Sequence, residues 1–177
     1  MTKGVALMVI DVQNGLFDEG AFEPERLLTH LKTLIDHARS NDILVIYVQH
    51  NEDPKWGGSL VAGQPAHAIH KAIAPQPGDA IIQKWNPSAF MDTNLQAILE
   101  EKGIKRLILS GMQTEMCVDS TCRDAYGRGY NVTVASDAHS TMDNGVLTAD
   151  QIINHTNATL RMFAKVTPTE EIEFSGS

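Results

Sequence analysis

The sequence predicts a doubly wound α/β fold, in which a mainly parallel β-sheet carries helices on both faces in three α/β/α layers. Short runs of β-branched residues alternate with longer amphipathic stretches along the chain. The first run, residues 5–12, is apolar apart from Asp11, as expected for a strand that is buried on both faces. No repeat, low-complexity tract or linker divides the chain, so we expect a single domain over residues 1–177.

The first half of the chain supplies two strands and one long helix. After the strand at 5–12, Pro24 suits the first turn of a helix that extends to Ser40, with apolar residues spaced by three and four. An Asn-Asp turn then leads into a second buried strand at 43–49. Residues 50–79 are irregular, and a loop of this length inside a compact domain is usually functional.

The second half repeats the pattern with shorter elements. We expect strands at 80–84, 106–111 and 131–137, an edge strand at 165–169, and helices from Thr93 to Gly103, over 115–127 and from Leu147 to Phe163. Thr93 and Thr148 are the expected N-caps of the first and last of these helices.

Composition excludes several classes of protein. The 177 residues carry 14 basic and 22 acidic side chains, a net charge of −8, which disfavours nucleic acid as a partner. No apolar run approaches the roughly 20 residues that cross a membrane. Two cysteines are too few for a secreted disulfide scaffold. We therefore expect a cytoplasmic protein without membrane or nucleic-acid partners.

In a parallel sheet, ligands bind at the carboxyl ends of the strands, and three reactive side chains lie at such ends. Asp11 ends the first strand, Lys84 the third, and Cys117 begins the helix after the fourth. Each has a plainer interpretation: Asp11 as a turn cap, Lys84 as a solvated edge lysine, and Cys117 as a small buried hydrophobe. Together they form a nucleophile, a base and a cation.

The position of Cys117 near a helix N-terminus should affect the pKa of its thiol. Unpaired backbone N–H groups and partial positive charge at that end favour the thiolate, so we expect a lowered pKa for this thiol. Cys122 lies about 140° further round a helix, so a disulfide between the two is not expected, and Cys122 is interpreted as packing.

Over nearly its whole length the chain resembles the isochorismatase-like superfamily of cysteine hydrolases, which includes nicotinamidases and N-carbamoylsarcosine amidohydrolase. Several stretches match. They are VIDVQNGLF (9–17), QKWNPSAF (83–90), GMQTEMCVDSTCRDA (111–125), ASDAHST (135–141) and IINHTNATL (152–160). The resemblance implies Cys117 as nucleophile, Asp11 as general base and Lys84 as the third catalytic residue. It also implies a cis peptide at Met112-Gln113, with the amides of Gln113 and Cys117 forming an oxyanion hole.

The resemblance predicts hydrolysis of a C–N bond, in an amide, lactam or carbamoyl group of a small molecule, through a thioester. Isochorismate hydrolysis is an alternative, although isochorismatases of the superfamily lack the nucleophilic cysteine. Part of the third stretch also resembles enzymes that open the lactam of streptothricin. A non-catalytic binding or assembly protein on the same fold is a third hypothesis.

We expect no cofactor and no metal. Nicotinamidases carry an Asp-x-His motif after the second strand, where this chain has Gln49-His50-Asn51-Glu52-Asp53. The pair His67 and His70 lacks a third ligand. The resemblance also implies a homodimer or larger homo-oligomer. Candidate substrate-binding residues are Gln13, Phe17, His50, Trp85, Phe90 and Thr114.

Overall fold

A computed structural model describes residues 4–174 and contains one six-stranded sheet, with all neighbouring strands parallel and in the order β3-β2-β1-β4-β5-β6. The strands are β1 (Val5–Ile10), β2 (Leu44–His50), β3 (Ala80–Lys84), β4 (Arg106–Met112), β5 (Asn131–Ser140) and β6 (Lys165–Thr167). The α-helices are α1 (Asn14–Asp18), α2 (Pro24–Ser40), α3 (Leu95–Glu101), α4 (Asp119–Gly127) and α5 (Ala149–Leu160). The predicted fold class is confirmed.

The continuous apolar run of β1 is explained by burial on both faces of the sheet. Val5, Leu7 and Val9 belong to the core beneath α2, whereas the alternate residues of the strand belong to the core beneath α3 and α4. Every side chain of the strand is at most 1% exposed. Because successive side chains point to opposite faces, a strand between two helical layers has no position that faces solvent, so apolar residues are favoured throughout.

Most differences from the predicted elements lie at their ends. β5 extends three residues beyond the predicted strand, and the capping box at Thr148 begins α5 at Ala149, two residues later than predicted. α1 was not predicted, because five residues are too few to show a helical period. The predicted helix over 115–127 begins instead as a π-helical turn, Thr114–Val118, before α4.

Gly111 allows β4 to lie against β1 just before the chain enters that turn. Its φ of +116° is a conformation that L side chains rarely adopt. A Cβ at this position would overlap the backbone of Ile10, its partner across the two strands. Only glycine fits both restrictions, and it fixes where β4 ends and the functional turn begins.

The predicted irregular segment, residues 50–79, contains three short 3₁₀ turns, Pro54–Trp56, Pro65–His67 and Lys71–Ile73. Hydrogen bonds from Gln13 anchor it to the end of β1: its Nε2 donates to the carbonyls of His50 (3.0 Å) and His67 (2.9 Å), and its Oε1 accepts from the His50 amide. Within residues 4–174, no helix has both the length and the apolar character to cross a bilayer.

Candidate active site

Three side chains from separate strand ends meet at the carboxyl edge of the sheet. The Nζ atom of Lys84 lies 2.6 Å from Oδ2 of Asp11 and 3.2 Å from Sγ of Cys117. Asp11 and Lys84 are 1% and 0% exposed, so Lys84 is not the solvated edge lysine of the plainer interpretation. Cys117 is half-buried and lines a cavity. The parallel topology therefore brings a thiol, a carboxylate and an ammonium group into contact.

The backbone at Asp11 supports this convergence. Its φ of +49° is left-handed, a conformation that Asp tolerates better than most residues, and its amide donates to the Val48 carbonyl at 2.9 Å. The chain thus leaves β1 through a sharp turn at Asp11.

His50 supplies a further neighbour to the lysine. It is the register partner of Lys84 on β2, and its Nδ1 lies 3.0 Å from the Lys84 Nζ. Burial and the adjacent Lys84 lower the pKa of His50 to about 4, so the ring is neutral near pH 7. A neutral ring that accepts at Nδ1 carries its hydrogen on Nε2. The Lys84 ammonium thus contacts three groups at once: it forms an ion pair with Asp11 and lies within hydrogen-bond distance of His50 and Cys117.

The protonation of the thiol differs from the sequence expectation. Burial, together with the Asp11 carboxylate, raises the pKa of Cys117 to about 12 against the opposing effect of Lys84. Burial likewise raises the pKa of Asp11, again opposed by Lys84. The expected lowering at a helix N-terminus is therefore wrong for the resting site: desolvation and a neighbouring negative charge outweigh the cation. Cys117 rests as a thiol, and attack requires a base.

Alkylation of Cys117 tests this assignment. At pH 7 we expect iodoacetamide to label it roughly 10³-fold more slowly than a free cysteine thiol, because the thiolate fraction is correspondingly smaller. The rate should rise about tenfold per pH unit up to at least pH 10, measured as modified Cys117 peptide by mass spectrometry. A rate that levels off below pH 8 would show that the thiolate already exists in the resting protein.

The turn that carries Cys117 has an unusual hydrogen-bond pattern. The Gln113 carbonyl accepts from the amides of Met116 (3.2 Å) and Val118 (3.1 Å), on either side of Cys117. The peptide bond between Met112 and Gln113 is cis. The amides of Gln113 and Cys117 thus belong to a turn that departs from α-helical hydrogen bonding.

A buried chain of side chains holds the start of this turn. The Thr114 hydroxyl lies 2.8 Å from Nδ1 of His139, whose Nε2 lies 2.9 Å from Oδ1 of Asn157. Burial lowers the pKa of His139, so the ring is neutral and can donate at one nitrogen and accept at the other. Thr114, a candidate substrate-binding residue, is fully buried and does not line the cavity.

The other candidate substrate-binding residues occupy different places. His50 lines the cavity beside Cys117, and Trp85 lines an adjoining outer cavity. Phe17 stacks on His70 at 4.7 Å between ring centroids and lines neither cavity. Gln13 is buried with its amide engaged by backbone, and Phe90 is buried in the core, so neither faces the cavities.

The described residues offer one candidate set of metal ligands, Asp11, His50 and Cys117, whose ligand atoms lie within 4.8 Å of one another. The Lys84 ammonium lies within 3.2 Å of all three and occupies the position between them. A metal cation there would have to displace, or lie beside, an ammonium group that already contacts all three side chains. The arrangement does not fit a metal centre. His67 instead bonds Asn51 at 2.8 Å within the loop.

The cavity above Cys117 has a volume of about 410 Å³. Sequence reasoning missed much of its wall: Leu16, Glu19, Glu52, Ser59, Leu60, Pro87, Glu115, Met116 and Ser120. Glu115 and Met116 directly precede Cys117 in the stretch at 111–125, so their positions in the sequence could have predicted that they line the cavity. Glu52, Ser59 and Leu60 come from the irregular loop, whose path no local pattern predicts. Both thiols are free, and Cys122 is fully buried in the core, as expected.

Comparison with known proteins identifies the family. Residues 5–171 match the model of the isochorismatase domain. The chain is 32% identical to a streptothricin hydrolase of Streptomyces noursei, over 78% of this chain and 55% of that protein. It is 31% identical to the ureidoacrylate amidohydrolase of Yersinia enterocolitica, over 77% of this chain and 75% of that one.

A solved structure shares the same fold. The cysteine hydrolase from Pseudomonas syringae pv. phaseolicola superposes with a TM-score of 0.87 at 25% identity, covering 96% of this chain and 90% of that one. A family model that spans nearly every described residue, together with this likeness, leads to one conclusion: the chain belongs to the isochorismatase family of hydrolases.

Proposed function

We propose that the chain is a cysteine-dependent hydrolase that cleaves a C–N bond of a small amide, lactam or carbamoyl compound through a thioester. The observation that carries the proposal is the contact of Lys84 with both Asp11 and Cys117 at the base of a cavity. Relatives named as a streptothricin hydrolase, an amidohydrolase and a cysteine hydrolase support this class of reaction.

The first half of the reaction forms the thioester. The Cys117 sulfur attacks the carbonyl carbon while its proton passes to the Asp11 carboxylate, which is the base that a thiol with a pKa of about 12 requires. The C–N bond of the tetrahedral intermediate then breaks, and Asp11 returns the proton to the leaving nitrogen. Lys84 remains a cation throughout and stabilises the Asp11 carboxylate and the developing thiolate.

The second half hydrolyses the thioester. Water loses a proton to Asp11 and attacks the acyl carbon, and the proton returns to the Cys117 sulfur as the carboxyl product departs. In both halves the carbonyl oxygen becomes an oxyanion, for which the amides of Gln113 and Cys117 are the proposed donors. The turn at Gln113, with its carbonyl bonded on either side of Cys117, supports that assignment.

A chemical screen tests the reaction class. We expect the protein to hydrolyse at least one compound in a set of small amides, lactams and carbamoyl compounds. An amide or carbamoyl compound would release ammonia or an amine, and a lactam would gain one water as its ring opens. Each product is identified by mass spectrometry. Incubation with isochorismate, followed by an assay for the dihydroxybenzoate product, tests the alternative reaction, which is cleavage of a vinyl ether. Conversion of isochorismate with no C–N cleavage in any class would contradict the proposal.

The remaining expectations stay predictions: a cytoplasmic location, a homo-oligomer, and no nucleic-acid or membrane partner. The net charge of −8 and the two free cysteines support the first and third of these.

A further inference from the structure

The wall of the catalytic cavity is acidic. Besides Asp11, which is paired with Lys84, three carboxylates line it: Glu19, Glu52 and Glu115. Among its described lining residues there is no Lys or Arg, and the pKa of His50, about 4, leaves that ring neutral. A ligand in this cavity therefore meets three negative side chains and no positive one at the surface of the wall.

Protein contacts leave these carboxylates partly unsatisfied. Glu19 accepts from the Ser59 hydroxyl at 2.6 Å, and Glu52 accepts from the Leu60 amide at 2.8 Å. No ion pair joins Glu19, Glu52 or Glu115 to a basic side chain within residues 4–174. They present uncompensated negative charge.

Of the three carboxylates, Glu115 is the nearest to Cys117 along the chain. Its Oε1 accepts from the Thr141 hydroxyl at 2.9 Å, whereas its Oε2 is buried and lacks a hydrogen-bond partner among the described residues. A buried carboxylate oxygen without a donor is costly. Glu115 lines the cavity two residues before Cys117, so its unpaired charge acts on a ligand bound there.

An aromatic and acidic outer cavity adjoins this wall. It has a volume of about 340 Å³ and shares His50 and Glu52 with the catalytic cavity. Trp56 and Trp85 line it and are 87% and 61% exposed. Asp53 adds a second carboxylate. Tryptophan faces beside carboxylates attract ammonium and guanidinium groups through cation–π and ionic interactions.

We propose that the substrate is a cationic amide, with an ammonium or guanidinium group that lies in the outer cavity against Glu52 and Trp85 while the scissile bond lies at Cys117. This inference rests on the proposed function and names its substrate class. Substrates that carry a carboxylate are rejected, because their charge would face Glu19, Glu52 and Glu115 without a counter-ion.

A charge series measures this preference. One amide is prepared with the same linker ending in an ammonium, a hydroxyl or a carboxylate, and kcat/KM is compared at low ionic strength. We expect the ammonium compound to exceed the hydroxyl compound by roughly tenfold or more, and the carboxylate compound to be the poorest. Added salt should reduce the differences in kcat/KM among the three compounds, since screening weakens partly exposed charge pairs. Equal values across the series would overturn the inference.

Variants assign the preference to named side chains. Glu52→Gln keeps an oxygen acceptor for the Leu60 amide but removes the charge. Trp85→Leu keeps apolar bulk but removes the aromatic face. We expect each to reduce the ammonium-to-hydroxyl ratio by roughly three- to tenfold. Glu25→Gln, on the exposed first turn of α2, makes the same change in net charge away from both cavities and should leave the ratio unchanged.

Binding separates this inference from the proposed function. The same series is titrated by calorimetry into Cys117→Ala, which cannot form the thioester. Tighter binding of the ammonium compound would support the cationic site, whether or not any amide in the series is hydrolysed. A complete absence of hydrolysis would count against the proposed function alone. Hydrolysis by the unaltered protein without any preference for the cation would leave the proposed function standing and overturn the inference.

Discussion

Replacing Cys117 with Ala should reduce kcat/KM for C–N hydrolysis by at least about 10⁴-fold, because the variant has no nucleophile with which to form a thioester. The fold should remain intact, since the half-buried side chain lines a cavity rather than filling the core. Turnover measured on the substrate found by the screen, with the thermal unfolding midpoint measured in parallel, checks both expectations.

Cys122 provides the matched control. It is the other thiol, lies on α4, is fully buried in the core that also contains Leu107 and Leu109 of β4, and takes no part in the proposed chemistry. Cys122→Ala should cost about 1–2 kcal/mol in the free energy of unfolding, because it leaves a small cavity. Its turnover should stay within a few-fold of the unaltered protein. The opposite pattern, with Cys122→Ala inactive and Cys117→Ala active, would refute the assignment of the nucleophile.

A covalent signature makes the test specific for the thioester. Rapid acid quenching during turnover, followed by intact mass measurement, should show an adduct equal to the acyl part of the substrate. The adduct should be absent from Cys117→Ala and present in Cys122→Ala. Full turnover with no dependence on Cys117 would require direct attack by water instead.

The fold was predictable because the pattern of apolar residues in a strand indicates which of its faces are buried. β1 is apolar on both faces, and Asp11 interrupts that pattern where the strand ends. A charged residue directly after a buried strand must find a partner. The parallel topology places Lys84 and Cys117 at the same edge. Local patterning and one rule about strand ends therefore made these three residues candidates, and the resemblance to a known family implied their roles.

The acidity of the thiol was not predictable from position along the chain. Burial and a neighbouring anion both oppose the lowering of a thiol pKa by a helix N-terminus, and neither is visible from position along the chain. Here burial and Asp11 act in the opposite direction and raise the pKa of Cys117 to about 12. The acidic wall of the cavity was not predictable either, because Glu19, Glu52 and Glu115 come from segments that share no periodicity.

Lys84 should prove costly to remove in two separate ways. Lys84→Met leaves the Asp11 carboxylate 1% exposed and without a counter-charge, so we expect a loss of about 3–5 kcal/mol in the free energy of unfolding. Turnover should fall by at least about 10²-fold, because no cation then stabilises the developing thiolate. Denaturant unfolding and kcat measure the two effects. Lys32→Met, at an exposed position of α2, should change stability by no more than about 0.5 kcal/mol.

The double variant Asp11→Asn with Lys84→Met separates stability from catalysis. It removes both charges, and Asn tolerates the left-handed backbone at position 11, so no ionised group of the pair remains buried. Stability should return to within about 1 kcal/mol of the unaltered protein, as expected when a buried ion pair is replaced by neutral side chains. Activity should stay at least as low as in Lys84→Met, because the thiol has lost its base. If the double variant were as unstable as Lys84→Met alone, the cost would come from lost packing of the lysine stem. If instead it regained turnover, neither side chain would have the proposed role in proton transfer.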